Sequence, residues 1–194
     1  ECDTLDQGVY RLQGETEVVT THSDVVIALG SNVGDREKHL LAAVSGLGSL
    51  LADLRVSSFV ETEPEGVVSQ RSFLNGVVVG KCDFSAIELI GVLLAIEGTR
   101  GRRRPYPGAP RTLDLDLILL GSVVMTSDDV QVPHPRFRER RFVLEPLVEL
   151  APELVDPVSG QTVRELLTKL SKSDSFPPED VSDHSKRNDS MGSS

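Results

Sequence analysis

The segment Arg111-Thr112-Leu113-Asp114-Leu115-Asp116-Leu117-Ile118-Leu119-Leu120 carries the strongest chemical signal in the chain. Polar and apolar residues alternate and then give way to an apolar run, the pattern of a strand entering a core. Strand side chains alternate faces, so Asp114 and Asp116 share one face with Cα atoms about 6.6 Å apart. Leu113, Leu115 and Leu117 take the other face, toward a core. Two adjacent carboxylates repel each other unless something cationic sits between them. A hard divalent cation suits them, and Mg²⁺ typically takes one or two carboxylates plus substrate phosphates. Arg111 lies just before the pair, and Arg100, Arg102, Arg103 and Arg104 stand a few residues upstream. Carboxylates for a metal beside arginines for phosphate outline a nucleotide phosphoryl-transfer site. The plain alternative for each group is a solvated face, and their adjacency argues against it.

Charge supports a small polyanionic ligand. The 194 residues carry a net charge of −10, which argues against general nucleic-acid binding. Residues 100–141 run the other way, with nine arginines (100, 102, 103, 104, 111, 136, 138, 140, 141) against five acids (114, 116, 128, 129, 139). With 39% hydrophobic and 26% charged residues, the composition is ordinary for one globular domain. No apolar run approaches the ~18 residues of a membrane span, so no membrane association is expected. The polar, acidic start of the chain shows no signal segment. Only Cys2 and Cys82 occur, which suits a reducing, cytoplasmic setting.

The elements that must position this site follow from pattern. Residues 1–23 read as a flexible N-terminal arm, 24–170 as the folded domain, and 171–194, rich in Ser, Asp and Lys, as a disordered tail. Val25 to Leu29 is a short apolar strand ending in the turn Gly30-Ser31-Asn32-Val33-Gly34. Asp35 then caps a helix with apolar positions Leu40, Val44, Leu47 and Leu51. Arg55 to Glu61 alternates as one strand, broken by Glu63-Pro64-Glu65-Gly66. Phe73 to Val79 is another strand. Ser85-Ala86-Ile87-Glu88 is a capping box opening a second helix through Leu89, Leu93 and Ile96. A loop rich in Arg, Gly and Pro leads to the strand with the paired aspartates. The order β-α-β-β-α-β predicts an α+β, ferredoxin-like sandwich. Two further C-terminal helices are expected near 139–150 and 162–170.

Several motifs together resemble the 6-hydroxymethyl-7,8-dihydropterin pyrophosphokinases of folate biosynthesis. They are Gly30-Ser31-Asn32, Glu61-Thr62-Glu63-Pro64, Phe73-Leu74-Asn75, Ala109-Pro110-Arg111-Thr112-Leu113-Asp114-Leu115-Asp116, Val132-Pro133-His134-Pro135 and Arg140-Arg141-Phe142. The resemblance covers about residues 25–168 and implies a ferredoxin-like fold. It also implies transfer of diphosphate from MgATP to the hydroxymethyl oxygen of the pterin, with release of AMP. Two Mg²⁺ ions would sit on Asp114 and Asp116. Phe73 and Phe142 would stack on the pterin, and Asn75, helped by Thr62, would read its edge. ATP would be held by Arg111, His134 and Arg140, with Arg102 and Arg104 from the loop, Glu97 before it, and Leu117 near the adenine. Arg102 and Arg111 join the aspartates as the expected catalytic residues. Partners implied are the substrates ATP and pterin and neighbouring folate-pathway enzymes.

The chain departs from the family at one place. Many members carry a tryptophan two residues before the Pro-Arg of the signature; this chain has no tryptophan, and Gly108 stands there. Tyr106 is the candidate replacement for that lid aromatic. The residues leave the identity of any general base open.

Three other readings explain less. A haloacid-dehalogenase-type phosphatase places its Asp-x-Asp on the first strand, and a nucleotide-sugar transferase has a longer domain before it. Neither accounts for Phe73-Leu74-Asn75 or the arginine loop. A non-catalytic ferredoxin-like nucleotide- or pterin-binding module leaves the paired aspartates and Arg111 unexplained.

Overall fold

A computed structural model describes residues 22–64, 70–103, 106, 108–127 and 130–174. Residues 1–21 and 175–194, which hold most of the expected arm and tail, lie outside the described residues, as does Arg104. The central strand β1 (Ser23–Ser31) is buried on both faces, which is why its sequence is an unbroken apolar run rather than an alternation. It pairs antiparallel with β4 (Phe73–Cys82) on one side and with β5 (Asp114–Leu120) on the other. Helix α1 (Arg36–Gly48) follows β1 and starts where Asp35 accepts a hydrogen bond from the Lys38 backbone at 3.1 Å. Helix α2 (Ala86–Thr99) precedes β5 and starts at the Ser85–Glu88 capping box.

The outer edge of β4 carries β2 (Ala52–Val56) and β3 (Val60–Thr62), both antiparallel to it. Residues 55–61 are thus not one continuous strand as their alternation predicts. At the break, the Ser57 hydroxyl accepts from the Val77 N–H at 2.9 Å, in place of a ladder carbonyl, while Ser57 N–H donates to Val77 O. Phe59 packs directly over Gly76, where an added Cβ would lie 2.6 Å from the ring. Counting β2 and β3 as one broken edge, the sheet runs β2/β3-β4-β1-β5, all antiparallel, in the ferredoxin-like order expected from the sequence.

One face of the sheet packs on α1 and α2 through Ile27, Leu29, Leu40, Leu47, Leu89 and Leu93. The other packs on α3 (Arg141–Leu150) and α4 (Val163–Asp174) through Val26, Val77, Val79, Leu144, Leu147 and Leu166. Helix α4 continues four residues past the expected boundary at 170, its last turns joined by Ser171 Oγ to Leu167 O and Ser173 Oγ to Leu170 O. A register shift near Ile118 puts two residues of β5 against one step of β1. Ile118 and Leu119 therefore both join the α3–α4 core, whereas Leu113, Leu115, Leu117 and Leu120 join the α1–α2 core. A short hairpin of β6 (Met125–Thr126) and β7 (Gln131–Val132) and a 3-10 turn at Phe137–Glu139 lead into α3.

Candidate active site

The two C-terminal helices do not cover the whole second face of the sheet. At the end of β1 they leave a cavity of about 280 Å³. Its floor follows from register. Gly30 of β1 stands opposite Asn75 on β4 and Asp114 on β5, and Ala28 stands opposite Val77 and Asp116. Small residues on the central strand therefore separate Asn75 from the aspartate pair and give the floor its depth. A Cβ on Gly30 would lie 3.0 Å from Asn75 Oδ1, 3.8 Å from the Phe73 ring and 3.9 Å from Asp114 Cβ. Asn75 is 6% exposed, and its Nδ2 donates to Thr62 Oγ1 at 2.7 Å.

Most of the residues singled out from the sequence meet here. Thr62, Phe73, Asn75 and Phe142 line the cavity together with Arg111, Asp114, Asp116 and Arg140. Two arginines each join an aspartate to an aromatic ring. Arg111 bonds Asp114 and lies 5.4 Å from the Phe73 ring centroid. Arg140 is 3.3 Å from Asp116 and 5.5 Å from the Phe142 ring centroid. Both separations are within cation–π range.

Arg102, Glu97, His134 and Leu117 stand behind the cavity wall. Arg102 pairs with Asp114 and, at 2.6 Å, with Glu97. Glu97 is 2% exposed and also accepts from Leu115 N at 2.8 Å. It anchors Arg102 and the start of β5 from inside the core. Leu117 is turned into the α1–α2 core by the alternation that points Asp116 the other way. The His134 N–H donates to Ile118 O at 2.9 Å, which holds this histidine beside the end of β5. Tyr106 is exposed and is not part of the cavity wall, whereas Gly108 is.

Burial and charge set the acidities. Burial pushes Asp114 up, but the charges and hydrogen bonds of Arg111 and Arg102 outweigh it and hold the carboxyl below its ordinary value. Burial, reinforced by the Asp114 charge, pushes Asp116 up despite His134, Arg140 and Arg102. Burial lowers His134, with Asp116 opposing and Arg140 and Arg136 assisting.

Sequence reasoning gave no role to several cavity residues. Gly30 was read only as part of a turn and of a family motif, and Gln70 and Arg136 lie in segments without periodicity. For Gly30 the available signal was its place at the end of an apolar strand, where a glycine suggests close approach of another group.

The donor set fits Mg²⁺. Asp114 and Asp116 are hard oxygen donors on one strand face, their side chains 17% and 39% exposed, and Arg102, Arg111 and Arg140 pair with them. Among the described residues no cluster of three or more His, Cys, Asp or Glu side chains could cage a metal by itself. That suits an ion completed by water and substrate phosphates.

Comparison with known proteins gives the family and the fold. Residues 26–152 match the family described as 7,8-dihydro-6-hydroxymethylpterin-pyrophosphokinase (HPPK). The 2-amino-4-hydroxy-6-hydroxymethyldihydropteridine pyrophosphokinase of Bacillus subtilis is 40% identical over 142 residues, covering 72% of this chain and 85% of that protein. Its namesake from Synechocystis is 39% identical over 148 residues, covering 75% of each. A folic acid synthesis protein of Schizosaccharomyces pombe is 37% identical over 153 residues, 78% of this chain, yet the match spans only 21% of that longer protein. Among solved structures, Plasmodium falciparum HPPK-DHPS has the same fold, with a TM-score of 0.63 at 14% identity over 78% of this chain and 44% of that one. On the extent of the family match and the two bacterial relatives, the chain belongs to the 7,8-dihydro-6-hydroxymethylpterin-pyrophosphokinase family, the MgATP-dependent pyrophosphokinases of folate biosynthesis.

Proposed function

We propose that the cavity binds 6-hydroxymethyl-7,8-dihydropterin between Phe73 and Phe142 and receives the diphosphate of ATP over Asp114 and Asp116. The hydroxymethyl oxygen attacks the β-phosphorus, and the bond from that phosphorus to the oxygen of the α-phosphate breaks. AMP leaves, and the hydroxyl proton is lost. The observation that carries this reading is the row Asn75–Gly30–Asp114 across three paired strands. An amide suited to reading a heterocycle edge and a carboxylate suited to a metal share one floor, with glycine between them.

Each residue has a task in this reading. Thr62 holds the Asn75 amide by its Nδ2, which directs Oδ1 over Gly30 toward donors on the pterin edge. Phe73 and Phe142 offer flat apolar faces to a flat heterocycle. Arg111 and Arg140 sit where ring and phosphate meet and bring positive charge to the transferring group. Arg136, also on the cavity wall, adds to that field. Arg102 reaches phosphate when it exchanges its bond to Asp114 for one to the nucleotide, while Glu97 keeps its base in place. His134, held beside the end of β5, is assigned to the nucleotide, and Arg104 keeps its expected phosphate-binding role. Asp114 and Asp116 would hold two Mg²⁺ ions, which when bound neutralise phosphate charge and favour AMP as a leaving group.

The catalytic unit is proposed as residues 24–170, continued to the end of α4. A reducing compartment such as the cytoplasm is the proposed setting, in keeping with the free thiol of buried Cys82. No helix among the described residues is long and apolar enough to cross a membrane. Neighbouring folate enzymes remain the proposed protein partners, since relatives are named as folate synthesis bifunctional protein and HPPK-DHPS.

The test is the identity of the nucleotide product. The protein is incubated with ATP, Mg²⁺ and 6-hydroxymethyl-7,8-dihydropterin, and the nucleotides are separated by chromatography. AMP is expected in step with pterin diphosphate, and chelation of Mg²⁺ should stop both. ADP with inorganic phosphate, or pterin binding without turnover, overturns the reading.

A further inference from the structure

Two amides over the cavity have no part in the reaction as described. Asn32, 2% exposed, lies in the turn after β1 and clamps the backbone of Arg111 on both sides. Its N–H donates to Arg111 O at 3.1 Å, and its Oδ1 accepts from Arg111 N at 2.8 Å. The remaining end of the Asn32 amide, Nδ2, donates to Gln70 Oε1 at 2.9 Å. Gln70 Nε2 in turn donates to Gly108 O at 2.8 Å. Gln70, Gly108 and Arg111 all face the cavity.

These bonds join three segments far apart in sequence; each Gln70 bond spans 38 residues. Gln70 belongs to no helix or strand, so the regular backbone ladder asks nothing of it. It uses the two ends of its amide differently, as acceptor toward Asn32 and as donor toward Gly108. Gly108 adopts a φ of +74° with open space where a Cβ would lie, and next to it the buried Ala109 donates its N–H to Tyr106 O at 3.2 Å. The Gly108 carbonyl accepts the Gln70 bond.

We propose that Gln70 is a positioning residue that couples the loop before β4 to the loop before β5, setting the aperture over the pterin and, through Asn32, the seat of Arg111. The inference rests on the pterin reading of the cavity. Arg111 bonds Asp114 and covers Phe73, so a small displacement of its backbone moves charge at both substrates. The two Gln70 bonds are separable. A glutamate at this position still accepts from Asn32 Nδ2 but has no donor for Gly108 O. Alanine loses both and leaves the buried Asn32 Nδ2 without its partner.

Hydrogen exchange on the ligand-free full chain, followed by pterin and nucleotide kinetics, tests this with the wild type, Gln70→Glu and Gln70→Ala. In Gln70→Glu, faster exchange is expected in the 108–110 turn, with the Arg111 amide still protected. In Gln70→Ala, the Arg111 amide should lose protection too, while β1 and β4 keep theirs. KM for the pterin should rise about three- to tenfold in both variants. The value of kcat should fall further in Gln70→Ala, whereas in Gln70→Glu the affinity for Mg²⁺ with a non-hydrolysable ATP analogue should stay within about twofold. Unchanged exchange, unchanged pterin KM, or loss of protection spreading through β1 and β4 overturns the proposal. If Gln70→Ala does not fold, Gln70→Glu decides alone. A wild type that neither binds pterin nor releases AMP defeats the underlying reading instead, and the exchange pattern still reports on the coupling.

Discussion

Asp114 and Asp116 share one face of β5, yet their surroundings drive their acidities apart. Burial raises both, but Arg111 and Arg102 hold Asp114 down, whereas Asp116, facing that fixed negative charge, goes up. Asparagine should therefore act differently at the two positions. Asp114→Asn strips a partner from two largely buried guanidiniums, with side chains 11% and 25% exposed. A loss of about 2 kcal/mol is expected, below the usual cost of breaking a buried pair because Arg102 keeps Glu97. Asp116→Asn relieves the repulsion while giving up a 3.3 Å contact to Arg140, so stability should change by less than about 1 kcal/mol. Urea denaturation reads both. AMP release should fall at least about a hundredfold in each, through loss of a metal ligand and of charge over the transferring phosphate. Equal stability losses would mean that the pair is not polarised in this way.

Gly30 makes the floor flat. Its substitution by alanine puts a methyl 3.0 Å from Asn75 Oδ1 and against Phe73, tighter than ordinary contact. The described backbone of β1 shows no positive φ at this position, so the added strain is steric and local. Pterin affinity should drop about tenfold or more as the Asn75 amide is displaced, with MgATP affinity close to wild type. Isothermal titration of each substrate separately distinguishes the two. Equal loss for both would place the methyl in the nucleotide path instead.

Glu97 supports the site from within the core. Glu97→Gln retains an acceptor for Leu115 N but gives up the charge that holds Arg102 at 2.6 Å. Glu97→Leu removes both and leaves a buried N–H and a guanidinium short of partners. The leucine variant should lose about 3 kcal/mol of stability and the glutamine variant about 1. Both should lower kcat, since Arg102 is no longer held next to Asp114. Denaturation and steady-state rates measured together on the two variants check this ordering.

Periodicity and capping chemistry made the frame readable before the structure. The apolar run at 25–29, the Asp35 cap and the Ser85–Glu88 box are local signals, and each produced the expected element. Alternation around Asp114 and Asp116 correctly assigned their faces, and the same alternation turns Leu117 into the α1–α2 core. What escaped the sequence depends on partners distant along the chain. The edge strand breaks at Ser57 because a hydroxyl replaces a carbonyl and Phe59 fills the space over Gly76, neither of which a strand pattern records. Gln70 is one polar residue in an aperiodic loop, and its meaning appears only when Asn32 and Gly108 come together. The shift at Ile118 returns Leu120 to the face of Leu117, a change of phase that an apolar run cannot show.

Acid should loosen the C-terminal cover of the sheet through Asp156. This fully buried carboxylate takes two 2.7 Å bonds from Arg138 and further hydrogen bonds from Val158 N, Ser159 N and Ser159 Oγ. Burial acts against ionisation, but Arg138, Ser159 and Val158 prevail and lower its pKa from 3.8 to about 2. A pKa depressed in the folded state contributes stability above the unfolded value and loses it as pH falls through the folded value. The window therefore runs from about pH 4 down to about pH 2, and the contribution at neutral pH is about 2 kcal/mol. Asp156→Asn should be less stable than wild type by about that amount at pH 7, with the gap closing by pH 2. Arg138 lies in the short turn between Arg136 and Arg140, so the same ion pair fixes the segment that carries both into the cavity. Denaturation of both proteins from pH 7 to pH 2 measures the gap, and parallel curves would show that Asp156 is held by packing rather than by charge.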